Sequence, residues 1–167
     1  FPNSGKYSFL RDTALPTIGF KKLNDKKRPV SVVRRSNFLE NGTKLINLLY
    51  KHPSVVYYTI FNEGWGQFQS DVMYDMVKKL DDTRFIDSTS GWFAHKKSDV
   101  DSRHIYFKTV DLPKTERPLF LSECGGYSYE VSNHSYSKYN SYGYGAYEST
   151  EELTDHIVDM YEKMVLP

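Results

Sequence analysis

The sequence holds a single cysteine, Cys124, among 167 residues, so it has no intrachain disulfide, no CxxC pair and no Cys/His metal cluster. Long apolar runs are also missing. Stretches such as Val55 to Phe61 fall far short of the roughly 20 residues that span a bilayer, which argues against a transmembrane helix and a membrane partner. Net charge is nearly absent: 22 basic and 21 acidic residues leave a formal +1, too little for a global field that recruits nucleic acid or an anionic surface. There is no internal repeat, and no charged-then-apolar leader precedes Phe1, which is not Met; we read the chain as a processed or excised piece of something longer. Localisation stays open between cytoplasmic, periplasmic and secreted.

Aromatic residues, by contrast, are abundant. Fourteen Tyr, ten Phe and two Trp make up 16% of the chain, and such rings fill cores or offer flat platforms to sugars and bases. Residues 1 to 37, with Pro2, Pro16 and Pro29 and a basic run, read as irregular connection. From Asn37, spaced like a capping box with Glu40, the apolar positions Leu39, Leu45, Ile46 and Leu49 predict a helix ending at His52-Pro53. Val55 to Phe61 is continuously β-branched and aromatic, the pattern of a parallel strand covered on both faces. Phe68, Val72, Met76, Val77 and Leu80 follow at helical spacing, and Arg84 to Asp87 gives a second strand. Further strands are expected at His104 to Phe107 and Pro118 to Ser122. A final amphipathic helix carries Leu153, Ile157, Met160, Tyr161 and Met164 behind a Ser149/Glu152 capping box. The class is α/β, in one domain over residues 1–167.

Glu63 and Glu123 share an address, each just past the C-terminal end of an apolar strand, the edge where parallel α/β folds place chemistry. Two carboxylates converging there suit glycoside hydrolysis, one protonating the leaving oxygen while the other attacks the anomeric carbon or activates water. Burial and the neighbouring negative charge would raise the proton affinity of the acid. A lone Glu after a strand, however, commonly serves as a helix N-terminal charge or a surface ion pair. Here Asn62 precedes Glu63 and Gly64-Trp65-Gly66 follows, a small turn that sets the acid beside an indole.

At these residues the sequence resembles glycoside hydrolase family 2, the β-galactosidase and β-glucuronidase family, whose catalytic domain is an eight-stranded β/α (TIM) barrel. His52-Pro53-Ser54-Val55-Val56 with Ile60-Phe61-Asn62-Glu63 resembles the family's fourth strand, which ends in the acid/base. Pro118 to Gly126 is similar to the seventh, which ends in the nucleophile. Asp81 to Asp87 and Asp101 to Phe107 resemble the approaches to the fifth and sixth. The resemblance runs from about residue 8 to the end. It implies a retaining enzyme with Glu63 as proton donor and later base, Glu123 as nucleophile and Asn62 on the sugar 2-hydroxyl. It further implies Tyr106 as a hydrogen-bond partner of the nucleophile, with His104 near the glycone. For His104, a core histidine bonded to backbone fits equally well.

A complete barrel takes about 250 residues, and this chain supplies strands four to seven only. The expected architecture is therefore a partial TIM barrel, an open parallel sheet whose edges need the remainder of the barrel or a second copy. Weak or absent activity follows for the isolated chain, the alternative being a non-catalytic carbohydrate-binding or structural fragment.

Trp65 and Trp92 each follow a strand end and fit stacking on a sugar or anchoring of a loop. Ser88-Thr89-Ser90-Gly91, a polar loop at the same edge, fits the lining of an aglycone subsite but reads first as a solvent-exposed turn. Seven tyrosines between Tyr127 and Tyr147 fit a loop lining a polysaccharide cleft or one packed on its own barrel. Lys21 to Arg28 with Arg34 and Arg35 reads as a solvated face, so no nucleic-acid partner is expected; carbohydrate is. Cys124 reads as small buried filler. Asp99, Asp101 and His104 do not make a convincing metal site, and neither metal nor cofactor is expected.

Overall fold

The computed structural model describes residues 30–63, 67–91, 95–106, 108–135 and 143–167. Helix α1 (Val32–Leu49) is followed by β1 (Tyr57–Thr59), α2 (Ser70–Leu80), β2 (Phe85–Asp87), β3 (Asp101–Ile105), β4 (Leu119–Cys124), β5 (Tyr127–Tyr129), β6 (Gly145–Tyr147) and α3 (Thr150–Met160). A π-helical turn, Tyr161–Val165, continues α3. Among the described residues the strands pair as β1–β2, β3–β4 and β5–β6, the first and last pairs parallel. Among those residues no helix is long and apolar enough to cross a membrane. Two compact units are present. The first is Phe1–Arg103 with Thr115–Phe120, and the second is His104–Lys114 with Leu121–Pro167.

In the first unit α1 begins six residues before the expected start. The Ser31 side chain accepts the N–H of Arg34 at 3.3 Å and fixes the first turn there, so Asn37 is an interior helical residue rather than a cap. The helix packs Phe38 and Leu39 on a core of Val30, Phe61, Phe68 and Met73. Phe38 lies stacked on Phe61 at 5.2 Å between centroids, and Phe68 meets both rings edge-on. Arg35, expected to be solvated, instead covers the Phe68 ring and donates to the Val30 carbonyl and to Gln69. Lys21 to Arg28 lie outside the described residues.

The strand Val55 to Phe61 is shorter than its apolar run, and its coverage on both faces is not found. Val56 and Thr59 are exposed while Phe61 is buried, so full burial along the run is confined to its end. Its register on β2 is strict. Tyr57, Tyr58 and Thr59 face Phe85, Ile86 and Asp87, an offset of 28, and the same offset persists to a parallel bridge between Asn62 and Ser90. On the other edge of β2, Asp99 takes the place of a strand: Ile86 N–H donates to Asp99 Oδ2 at 2.7 Å, and Asp99 N–H returns a bond to the Ile86 carbonyl. The face of α2 carrying Val72, Met76 and Leu80 is exposed, and Phe68 and Met73 do the packing.

Arg84 ties these pieces together. It donates to Asp81 Oδ2 at 2.8 Å, to the Val55 carbonyl at the entrance to β1 and to the Tyr50 carbonyl at the end of α1. The Asp81 carboxylate has no exposed side-chain surface and also accepts from Tyr58 and from the Thr83 amide and hydroxyl. Burial by itself would raise its pKa, but these donors and the Arg84 charge hold it below the ordinary carboxylate value. Asp99 is lowered in the same balance, burial opposed by Tyr74, Lys78 and the Ile86 amide.

In the second unit α3 starts as expected, with Ser149 accepting from the Glu152 amide at 3.1 Å. The Glu152 carboxylate caps the Glu148 amide, one residue before the reciprocal position. Met160 and Met164 are buried, whereas Ile157 and Tyr161 are exposed, so only part of the expected apolar stripe is covered.

Replacing Arg84 with Ala leaves Asp81 buried without its cation and is expected to cost ~3 to 5 kcal/mol in chemical denaturation, as for other broken buried pairs. Acid sensitivity follows from the lowered carboxyls. A depressed folded-state pKa contributes stability that is complete above the unfolded carboxylate value and is lost as pH falls through the folded one. Urea midpoints are therefore expected to drop steeply below about pH 4, and Asp81→Asn, already weakened at neutral pH, should show a shallower acid limb.

Candidate active site

Asn62 and Glu63 sit at the C-terminal end of the β1 run because Phe61, buried in the three-phenylalanine cluster, pins the backbone just before them. Backbone bonds then fix the tip: Ser90 N–H donates to the Phe61 carbonyl at 2.8 Å, and Glu63 N–H donates to the Ser90 carbonyl at 2.9 Å. Glu63 has φ 44°, in the left-handed region that a residue with a Cβ occupies only at a cost. The held strand end thus turns a strained, half-buried carboxylate residue out of the sheet.

Beside it, Ser88 to Gly91 is not the exposed turn expected. Each of its residues is buried, with Ser90 Oγ 3.1 Å from Ser102 Oγ and Thr89 N–H on the Asp87 carboxylate. The continued parallel register draws this polar stretch under the tip of β1, where Asp87 also accepts from the Tyr57 hydroxyl at 2.9 Å. Burial, followed by the Asp87 charge, pushes the Tyr57 phenol far above its ordinary value, so it is a fixed donor.

The second unit assembles the other acid. The Glu123 side chain, 45% exposed at the end of β4, accepts a hydrogen bond from the Tyr106 hydroxyl through Oε2, and His104 Nε2 lies 3.5 Å from its Oε1. Tyr106 and His104 are buried, and His104 Nδ1 is 3.3 Å from the Tyr106 oxygen. The tyrosine has one proton, committed to Glu123, so the contact with His104 requires the proton on Nδ1. Nε2 then faces the carboxylate and forms an ion pair when the ring gains its second proton. His104 is thus a buried histidine set beside both Tyr106 and Glu123.

Beyond Glu123 the chain turns through Gly125 and Gly126, at φ 78° and 71°, conformations that L side chains rarely adopt. Cys124 is half-buried rather than buried, and burial pushes its thiol up, away from a reactive thiolate. Asp99 accepts from Tyr74, Lys78 and the Ile86 amide, and Asp101 Oδ2 pairs with Arg103. Of the residues singled out in the sequence, His104, Tyr106 and Glu123 are brought together in the second unit, and Asn62 and Glu63 stand on the first. Trp65 and Trp92 lie outside the described residues. The sequence reading overlooked Ser102 and Tyr144. The Gly125-Gly126 pair directly after Glu123 was a signal for a tight turn, but nothing local pointed to the residue it would meet.

Strand-helix-strand order, parallel pairing and acids at the carboxyl ends of strands define the class as an α/β chain. Residues 17–165 match the model of glycosyl hydrolases family 2, TIM barrel domain, and the chain belongs to that family. A β-galactosidase of Leuconostoc mesenteroides subsp. mesenteroides is 25% identical over 169 aligned positions; the match covers 85% of this chain and 16% of that relative's length.

The strain at Glu63 has a measurable consequence. Glu63→Gly is expected to raise the stability of the chain by about 1 kcal/mol, read as a higher midpoint in thermal or urea unfolding, because glycine adopts a positive φ without the Cβ penalty.

Proposed function

We propose that this chain is part of the catalytic β/α-barrel domain of a retaining, β-galactosidase-like glycosidase that hydrolyses O-glycosidic bonds by double displacement. Glu123 Oε attacks the anomeric carbon as the bond to the leaving oxygen breaks, and Glu63 gives that oxygen its proton. The product is a glycosyl ester on Glu123. Glu63, now ionised, takes a proton from water, whose oxygen attacks the anomeric carbon and expels the Glu123 carboxylate. One glycosidic bond and one water are consumed, and both acids return to their starting protonation states. Esterification removes the negative charge of Glu123, which favours ionisation of Glu63 at the stage where a base is needed.

The observation that carries this reading is the environment of Glu123 in a chain of this family. A buried Tyr106 hydroxyl and a buried His104 address the two oxygens of a half-exposed carboxylate. The Tyr106 donor stabilises the ionised carboxylate and sets its orientation, as a nucleophile requires, and His104 adds a second donor when its ring is doubly protonated. On Glu63 the left-handed backbone at a strand end fits a residue held for chemistry rather than for packing. Asn62 is assigned to the sugar 2-hydroxyl, His104 and Tyr106 to the glycone side, and Trp65 and Trp92 to stacking on sugar rings. Carbohydrate is the substrate, and the rest of a closed barrel, or a second copy, supplies the remaining contacts.

In a crystal structure of the active protein the two carboxyl groups are expected about 5 to 5.5 Å apart, whereas about 6.5 to 9.5 Å would indicate inversion and overturn the mechanism. A 2-deoxy-2-fluoro glycoside with a good leaving group is expected to add one sugar mass to the peptide carrying Glu123, and Glu123→Gln to abolish that addition. The isolated 167-residue chain is expected to cleave nitrophenyl glycosides weakly or not at all. Binding of galactose by calorimetry, with no labelling and no turnover in the protein that carries this chain, would favour the non-catalytic reading.

A further inference from the structure

Tyr144 comes from the tyrosine-rich segment, and no role has been assigned to it. Its ring stacks on that of Tyr106, with centroids 4.1 Å apart and planes within 19°. Tyr106 in turn donates to Glu123. The position of Tyr144 is fixed by backbone: β5 and β6 pair parallel with Tyr127 opposite Gly145, an offset of 18, and Gly126 and Tyr144 lie one step earlier at the same offset. Tyr144 N–H donates to the Gly126 carbonyl at 2.8 Å. Gly126 also leaves the space that the ring needs, since a Cβ there would lie 2.6 Å from Tyr144 Cδ2. A second glycine, Gly143, lets the chain pass Ser128, whose Oγ would lie 2.6 Å from an added Cβ. The layers therefore run from the Gly126 backbone to the Tyr144 ring, the Tyr106 ring and the Glu123 carboxylate.

We propose that Tyr144, seated on Gly126, is a positioning residue that holds the Tyr106 hydroxyl on Glu123 and keeps water from competing for it. The chemical role rests on Glu123 being the nucleophile; the stack itself does not. A phenol with a single ring torsion can direct its proton steadily to one carboxylate oxygen only if the ring plane is fixed, and an aromatic face at stacking distance restricts that plane at little entropic cost. The Tyr144 hydroxyl is not needed for this function, whereas its aromatic face is. The ring also closes one side of Tyr106, which is only 6% exposed.

The test separates the two layers. The first readout is the hydroxyl proton of Tyr106 by NMR, assigned by its loss in Tyr106→Phe and requiring no activity. It is expected to persist in the unaltered chain and in Tyr144→Phe, and to vanish into exchange with water in Tyr144→Ala, Tyr144→Leu and Gly126→Ala. Persistence in Tyr144→Leu or Gly126→Ala variants that retain native near-ultraviolet circular dichroism would overturn the proposal, whether or not Tyr144→Ala folds. The second readout is the rate of fluoroglycoside labelling of Glu123 in the protein that carries this chain. It should fall about ten-fold or more in Tyr144→Leu and recover in Tyr144→Phe, a loss within the range that small misplacements of a catalytic group produce. Absence of labelling in the unaltered protein would count against the nucleophile assignment alone, because the hydroxyl signal would still report the stack.

Discussion

The guanidinium of Arg84 is the point on which the first unit depends. The end of α1 and the entrance to β1, both about thirty residues before it, offer it two carbonyls, and the turn just before β2 offers the fully buried Asp81 carboxylate. Neither ion would be tolerable there alone, and the bonds of Arg84 to the Val55 and Tyr50 carbonyls specify where β2 begins relative to β1. A parallel register has no hairpin to set it and must be fixed by such long-range contacts. Here the offset of 28 established at Tyr57 and Phe85 carries through to Asn62 and Ser90. A one-residue slip would turn Asp87, now under the Tyr57 hydroxyl, to the opposite face and move Ser90 away from the amide of Glu63.

The second unit reaches a comparable end by a different route. Its organising contact is the proton that Tyr106 gives to Glu123, with His104 beside both. Around it the β5–β6 pair and α3 form an aromatic packing of their own, with Tyr127 and Tyr147 meeting edge to face and both rings lying against His156 of α3. Part of the tyrosine-rich segment is thus a structural layer and not a loose lid. The glycines on either side of it serve close approach, two at positive φ after Glu123 and two where a Cβ would collide with Ser128 or Tyr147. Both units spend conformational freedom at the carboxyl ends of strands, where Glu63 and the Gly125-Gly126 turn depart from ordinary backbone.

Much of this was legible before the structure. The apolar runs located β1, β2 and β4 to within a few residues, because unbroken β-branched and aromatic stretches have few alternatives to a strand. Ser149 marked the start of α3 for the simple reason that a hydroxyl at that position satisfies an amide. The address of the two acids, past the ends of strands, was likewise a matter of chain order. Errors arose where a local pattern had a competitor. Asn37 looked like a cap, but Ser31 took the first turn; Ser88 to Gly91 looked like a solvated turn, but neighbouring strands enclosed it.

Chain order alone therefore determined the α/β class, the succession of strands and helices, and the residue types available at strand ends, since these depend on side-chain periodicity and backbone hydrogen-bonding needs within a few residues. Only the tertiary structure decided that Arg84 would bind Asp81 and the two distant carbonyls, that Ser90 would close on Glu63, and that Tyr144 would stack on Tyr106 behind Glu123. These contacts join residues 3 to 38 positions apart through register and packing. A linear sequence holds no record of offset until the chain has closed on itself.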